Sequence, residues 1–342
     1  MVQFVSTVGT LISNQNRIRQ NQEDFNLLTY RVSTGKKFQE LKDYGANAVK
    51  VVDLRQDVTS RESYVRSIEL TEIVTGAYNT ALEGIIDGMQ DLIDAADPLS
   101  TQDPNWAADN AVIADNLMLN LEANLNLDIG GRYLFAGTNY NSAPVKDLRQ
   151  LSLYTTNDLP PTAGNTIEGA NQIPQHTVDA GGTNTVESYH NSFTASGTID
   201  ANAWKQVEIS VSDHQTITYG ITATDDAFQN TVEALLRFKS ATQSGLTEDQ
   251  RKQFLSDART IADTARTQLR QLQTTNGVVI NELQDTKDLH TSFINNSQIS
   301  LDGLTNVDPA AAATELSALQ TLIQSSYAAI SRQSQLSLVN FL

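Results

Sequence analysis

A mainly α fold with an inserted β domain is predicted, with paired N- and C-terminal helices forming a long coiled-coil rod and a small antiparallel β-rich outer domain. Three observations predict it. Apolar residues step by three and four through both ends of the chain. That period vanishes between Gly137 and Thr224, where Thr, Asn, Ser and Gly dominate. Both ends are nearly uncharged: residues 1–16 carry no charged side chain, and Ala310 to Leu342 carries only Glu315 and Arg332. The chain therefore divides into 1–136, N-terminal helical segments; 137–224, a variable β-rich outer domain; and 225–342, C-terminal helical segments.

From Val8 the apolar stripe runs through Leu11, Ile18 and Phe25 toward Leu28 and Val32, with Gln15 and Gln22 as polar lapses, which is a coiled-coil seam. The strongest periodic signal follows, from Val51, Leu54 and Val58 through Ile68, Leu82, Ile86 and Met89 to Ile93, with Arg61, Glu72, Thr75 and Asn79 as its polar members. Gly76, Gly84 and Gly88 cost such a helix about 1 kcal/mol each against Ala, so they mark either close helix contact or a local break. Asp97-Pro98 ends this helix, and Asp103-Pro104 caps the next, expected over 105–128 and stopped by Gly130-Gly131.

In the polar middle, Val207, Ile209 and Val211 alternate with polar neighbours, as do Ile217, Tyr219 and Ile221, which predicts two antiparallel strands. Asn157 to Thr198 is too rich in turn residues for strands to be assigned. A helix starts at Asp225-Asp226 and stops near Gly245; Thr247 with Gln250 forms a capping box for a longer one, whose stripe continues through Leu269, Asn276, Leu283, Thr286 and His290 to Phe293. Asp308-Pro309 opens the last helix, with Leu316, Leu319, Ile323, Tyr327 and Ile330 along one side.

Composition narrows the function. The 342 residues are 39% hydrophobic, enough for a sizeable core, and 40 acidic against 23 basic side chains give a net charge of -17. Such a chain repels phosphate backbones, so no nucleic acid is expected as a partner. No run reaches the roughly 18 apolar residues of a membrane-spanning helix, and the start lacks a basic region followed by an apolar one, so neither membrane insertion nor a cleaved signal peptide is expected. With zero cysteines, disulfides, thiolate sites and cysteine catalysis are excluded. Neutral amphipathic ends are destined for burial, either against other chains or as a core pair within one monomer; the scarcity of large apolar patches on monomers favours other chains. The residues expected to line that assembly interface are Val8, Leu11, Ile18, Phe25, Leu316, Leu319, Ile323 and Ile330.

Little in the sequence points to chemistry. His176, His190, His214 and His290 have no ligand spacing, and His290 in a seam is expected to set register. Asp87, Asp91, Asp94 and Asp97 lack an oxygen-cage pattern and suit a solvated helix face. Phosphate loops and nucleophile elbows are absent. No enzyme activity, catalytic residue, cofactor or metal is expected.

Three stretches resemble the bacterial flagellin and hook-associated protein group. Arg31-Val32-Ser33-Thr34-Gly35-Lys36-Lys37 is similar to the group's turn between its first two N-terminal helices. Gly131-Arg132-Tyr133-Leu134-Phe135-Ala136-Gly137-Thr138 resembles the segment by which the group's chains leave the helical core for the outer domain. The ending, Leu336 to Leu342, resembles that of the members sitting at the hook–filament junction. Lys42-Asp43-Tyr44-Gly45-Ala46 departs from the group's acidic pair and is similar to some filament flagellins.

The resemblance implies a structural subunit of the flagellum, an adaptor at the hook–filament junction, with a filament-forming flagellin as the alternative and a secreted adhesin well behind. It also implies termini that order on assembly, and partners comprising further copies of the chain, the other junction protein and flagellin. Export would run through the flagellum's own type III apparatus, with or without an export chaperone, to an extracellular place in the flagellum.

Overall fold

The computed structural model describes residues 2–97, 105–151, 176–179, 184–187, 189–191 and 200–339. They belong to two compact units, 1–63 with 290–342, and 64–289. Six helices dominate: α1 (Val2–Thr34), α2 (Ala48–Ala95), α3 (Trp106–Leu125), α4 (Asp226–Ala241), α5 (Glu248–Thr305) and α6 (Pro309–Val339). The starts of α4, α5 and α6 follow the expected capping chemistry, whereas Asn105, the residue before α3, makes no side-chain cap bond. Asp225 accepts from the Ala227 amide at 3.0 Å and Asp308 from the Ala310 amide at 2.8 Å. Ahead of α5 the capping box is reciprocal, Gln250 N to Thr247 Oγ1 at 3.2 Å and Thr247 N to Gln250 Oε1 at 2.9 Å. Pro98, Asp103 and Pro104 lie outside the described residues.

In the 1–63/290–342 unit, α1 packs on α6, and the first part of α2 buries Val51 and Val58 while the end of α5 buries Leu301 and Thr305. The 64–289 unit holds the main core, in which Leu82, Ile85, Met89 and Leu92 of α2 join Met118 and Leu125 of α3, Phe228, Leu235 and Phe238 of α4, and Leu255 and Leu269 of α5. α2 runs unbroken through its glycines. A Cβ on Gly84 would stand 3.3 Å from the Asn124 side chain and one on Gly88 3.7 Å from Leu117, so these two mark the close approach of α3.

Three two-stranded antiparallel sheets occur among the described residues. Val207–Ser212 and Gln215–Tyr219 (β5 and β6) pair as the alternation predicts, with Ile209 opposite Ile217 and a bulge between Ser210 and Ser212. Val211 and Ile217 pack on Ile68 and Leu283. The pair His176–Asp179 and Asn184–Glu187 (β3 and β4) falls in the stretch left without strands by its turn-rich composition.

The first pair corrects an expectation. α3 ends at Leu125, three residues before the predicted stop, because Gly130 and Gly131, at φ 62° and 81°, form the two-residue turn joining Asp128–Ile129 to Arg132–Tyr133 (β1 and β2). Both central residues need positive φ in a turn of that kind, so the glycines serve a hairpin and not a helix cap.

Candidate assembly surfaces

Helices α1 and α6 carry the predicted interface residues, and the fold brings the two helices together. Ile18, Phe25, Leu316, Leu319, Ile323 and Ile330 are all half-buried. The side chains of Val8 and Leu11 lie outside the described residues. Among described side chains only Leu28 on α1 and Ala312 on α6 are buried, whereas Ile12, Leu322 and Tyr327 are about half exposed. Gln22 donates to the Tyr327 hydroxyl at 3.1 Å, so a polar lapse of α1 meets the polar tip of a stripe residue on α6. One chain thus covers its terminal stripes only partly. Each further Å2 of apolar surface removed from water would contribute about 25 cal/mol.

A backbone clasp closes this unit at the other end of α1. Gly35, at φ 69°, takes the left-handed conformation that stops the helix, its amide donating to Arg31 O at 2.8 Å. The Ser33 and Thr34 hydroxyls donate to Tyr30 O at 3.0 and 2.7 Å. Beyond the stop, Lys37 N donates to Thr305 O at 2.7 Å and Val307 N to Gly35 O at 2.9 Å. Lys36 Nζ reaches Asn306 Oδ1 at 2.5 Å and Lys37 Nζ the Gly303 carbonyl at 2.7 Å, placing cations where the last carbonyls of α5 present partial negative charge. The turn was legible in the sequence; its partners were not. Their signal is the short Thr305-Asn306-Val307 link between a long stripe and the Asp308-Pro309 cap.

The string 131–138 is a core anchor of the 64–289 unit. Phe135 is fully buried and meets the rings of Tyr78 and Phe228 edge-on, at 5.0 and 5.4 Å between centroids. Tyr78 donates its hydroxyl to Leu134 O at 2.5 Å, and burial pushes its phenol far above the usual range, so it stays a donor. Leu134 and Ala136 are buried beside Phe135, while Arg132 stacks on Tyr140 at 4.3 Å. Gly137, at φ 63°, lets the chain leave: a Cβ there would meet Asn202 O at 2.6 Å. Tyr189 does the same job for the insertion, donating to Ala223 O at 2.7 Å, with burial again raising its phenol.

The polar lapses of the seam find each other. Asn276 Nδ2 donates to Thr75 O and Asn79 Oδ1, both at 2.8 Å, and Lys287 pairs with Glu72 at 2.6 Å. In the other unit Arg61 lies 3.3 Å from His290 Nδ1, 2.9 Å from Asp57, and 4.4 Å above the Phe293 ring. His290 is therefore a seam residue in contact with an arginine. His190 is buried and its pKa falls to about 4 because burial disfavours its charged form. Asp87, Asp91 and Asp94 are exposed; among the described residues no three His, Asp or Glu side chains cluster for a metal. No described helix is long and apolar enough to cross a membrane.

Paired terminal helices bracketing an inserted sheet region, with apolar stripes left half-covered, define a subunit built to assemble. The family model of the bacterial flagellin N-terminal helical region matches residues 5–140, and that of the flagellin C-terminal helical region matches 260–342. The chain belongs to the bacterial flagellin family; it is a structural subunit of the bacterial flagellum, assembling with further copies and other flagellar components. No curated protein matches. Solved structures similar to it include a proposed flagellar hook-associated protein from Vibrio parahaemolyticus (12% identity, TM-score 0.42, 75% of this chain and 100% of that one). Others are Bacillus cereus FlgL (11%, 0.38, 75% and 98%) and flagellar hook-associated protein-3 from Legionella pneumophila (15%, 0.33, 75% and 97%).

Proposed function

We propose that the chain is the adaptor at the hook–filament junction, seated between the other junction protein and the first flagellin subunits outside the cell. Its proposed assembly interface is the stripe of Val8, Leu11, Ile18, Phe25, Leu316, Leu319, Ile323 and Ile330. The observation that carries assembly is the half-burial of Ile18, Phe25, Leu316, Leu319, Ile323 and Ile330 on a helix pair whose residues 1–16 carry no charged side chain and whose residues 310–342 carry only Glu315 and Arg332. The junction role is supported by the 131–138 string and the Leu336 to Leu342 ending, both of which look most like those of the group's junction members. Division into 1–136, 137–224 and 225–342, unfolded passage through the type III apparatus, and any chaperone belong to the same proposal. A filament flagellin is the second reading, favoured by Lys42 to Ala46.

The test is negative-stain microscopy of the full-length protein in ammonium sulfate, which strengthens apolar burial. A junction adaptor adds to isolated hook or filament ends and stays short. Long filaments of the protein alone would make it a flagellin, and no association in any condition would overturn assembly itself.

A further inference from the structure

We propose that an open cleft of about 500 Å3 in the 64–289 unit binds a neutral carbohydrate, laid ring-face against Trp204. The cleft lies between the β5–β6 hairpin, the segment entering α4 and the middle of α5, and its size is within the roughly 300–1,000 Å3 of ligand sites. Trp204 is half-buried, packed against the core while still lining the cleft, so a large rigid apolar surface is held in place for the C–H face of a sugar. Ile221 and Leu272 extend that apolar wall.

Acceptors surround it. Asp225 commits one oxygen to the Ala227 amide, and Asp226 is exposed beside it. Asn276 spends its amide hydrogens on Thr75 O and Asn79 Oδ1, leaving its side-chain carbonyl to accept. Among the described residues no Lys, Arg or His lines the cleft, so an anion finds no cationic partner there. A cation gains little, because Asp226 is solvent-screened and Asp225 is already engaged at the helix cap. A polyhydroxylated ring supplies what is missing: O–H donors pointing in several directions around one apolar face. The cleft's chemistry is independent of the junction role.

Saturation-transfer NMR on the full chain near neutral pH would test it, with glucose, galactose, mannose, N-acetylglucosamine and N-acetylgalactosamine as probes, and spermidine and glucuronate for comparison. At least one neutral sugar is expected to bind at millimolar Kd, weakened about tenfold or more by Asp226→Ala and by Trp204→Ala. Asp226 is exposed, so the first variant keeps the test valid if loss of the indole disturbs folding. The proposal is overturned if no neutral sugar receives transfer at about 50 mM, if both substitutions leave transfer intact, or if spermidine alone binds, which would make the cleft a cation site.

Discussion

Replacing Gly137 by Ala adds one methyl group, and its cost can be worked from the backbone around it. At φ 63° and ψ -133° an L-residue is strained, by about 1–3 kcal/mol. The new Cβ would also stand 2.6 Å from Asn202 O and 2.9 Å from Ala203 O, contacts with backbone that cannot swing aside. Relief means moving the chain, which breaks the Thr138 N to Asn202 O bond of 3.0 Å and strains the Ala223 N to Phe135 O bond of 2.7 Å. Each is worth about 1 kcal/mol, so the total comes to about 4 kcal/mol. At about 2–4 °C per kcal/mol for a domain of this size, Tm should fall by about 10 °C in a circular-dichroism melt of the full chain. Gly130→Ala is the comparison: its φ is 62° but nothing lies within 4 Å of the added Cβ, so it should cost about 1–2 kcal/mol. If both variants melt within about 2 °C of each other, steric crowding at the exit from the helical core is not what Gly137 relieves.

Ile323→Asp should leave a folded monomer, since the position is half-buried in one chain, yet abolish addition to hook or filament ends, because a carboxylate buried without a partner costs several kcal/mol; sedimentation separates the two effects. Lys287→Met removes one member of a pair whose side chains are 20% and 21% exposed, and urea unfolding should lose about 1–3 kcal/mol, of which the double variant Glu72→Gln/Lys287→Met recovers a measurable part. His190 is held neutral in the fold, with pKa near 4 against 6.5 for the free group, so the unfolded chain binds its proton first. Stability therefore declines as pH falls from about 6.5 to 4, by up to about 3 kcal/mol, and His190→Gln should flatten that slope in melts across the window. Asp225, whose carboxyl burial raises, works in the opposite sense at the acid end, stabilising the fold where it is protonated.

What the sequence disclosed was periodic or local. The seam from Val51 to Ile93, the Thr247/Gln250 box, the Asp308-Pro309 start and the β5–β6 alternation are read from neighbours within one or two turns, and local physics decides them. Gly130-Gly131 was legible as a stop but not as a hairpin, because left-handed glycine ends helices and makes turns alike. The anchors were hidden for another reason: Tyr78, Phe135, Phe228 and Tyr189 are spread over more than a hundred residues, and only the folded chain brings them together. The same holds for the clasp, where Gly35 to Lys37 shows its turn while its partners at Gly303 to Val307 lie at the far end of α5. Polar lapses such as Asn79 and Asn276 could be placed on the seam but not matched to each other.

The proposed assembly requires neighbouring chains to complete the terminal stripes. Hydrogen exchange of the amides in α1 and α6, followed in the free subunit and again after its assembly onto hook or filament ends, tests this most directly. Weak protection is expected in the free chain and a slowing of about a hundredfold or more on assembly, centred on the turns holding Ile18, Phe25, Leu319 and Ile323. Equal protection in both states would contradict it, and would mean that one chain buries its own ends.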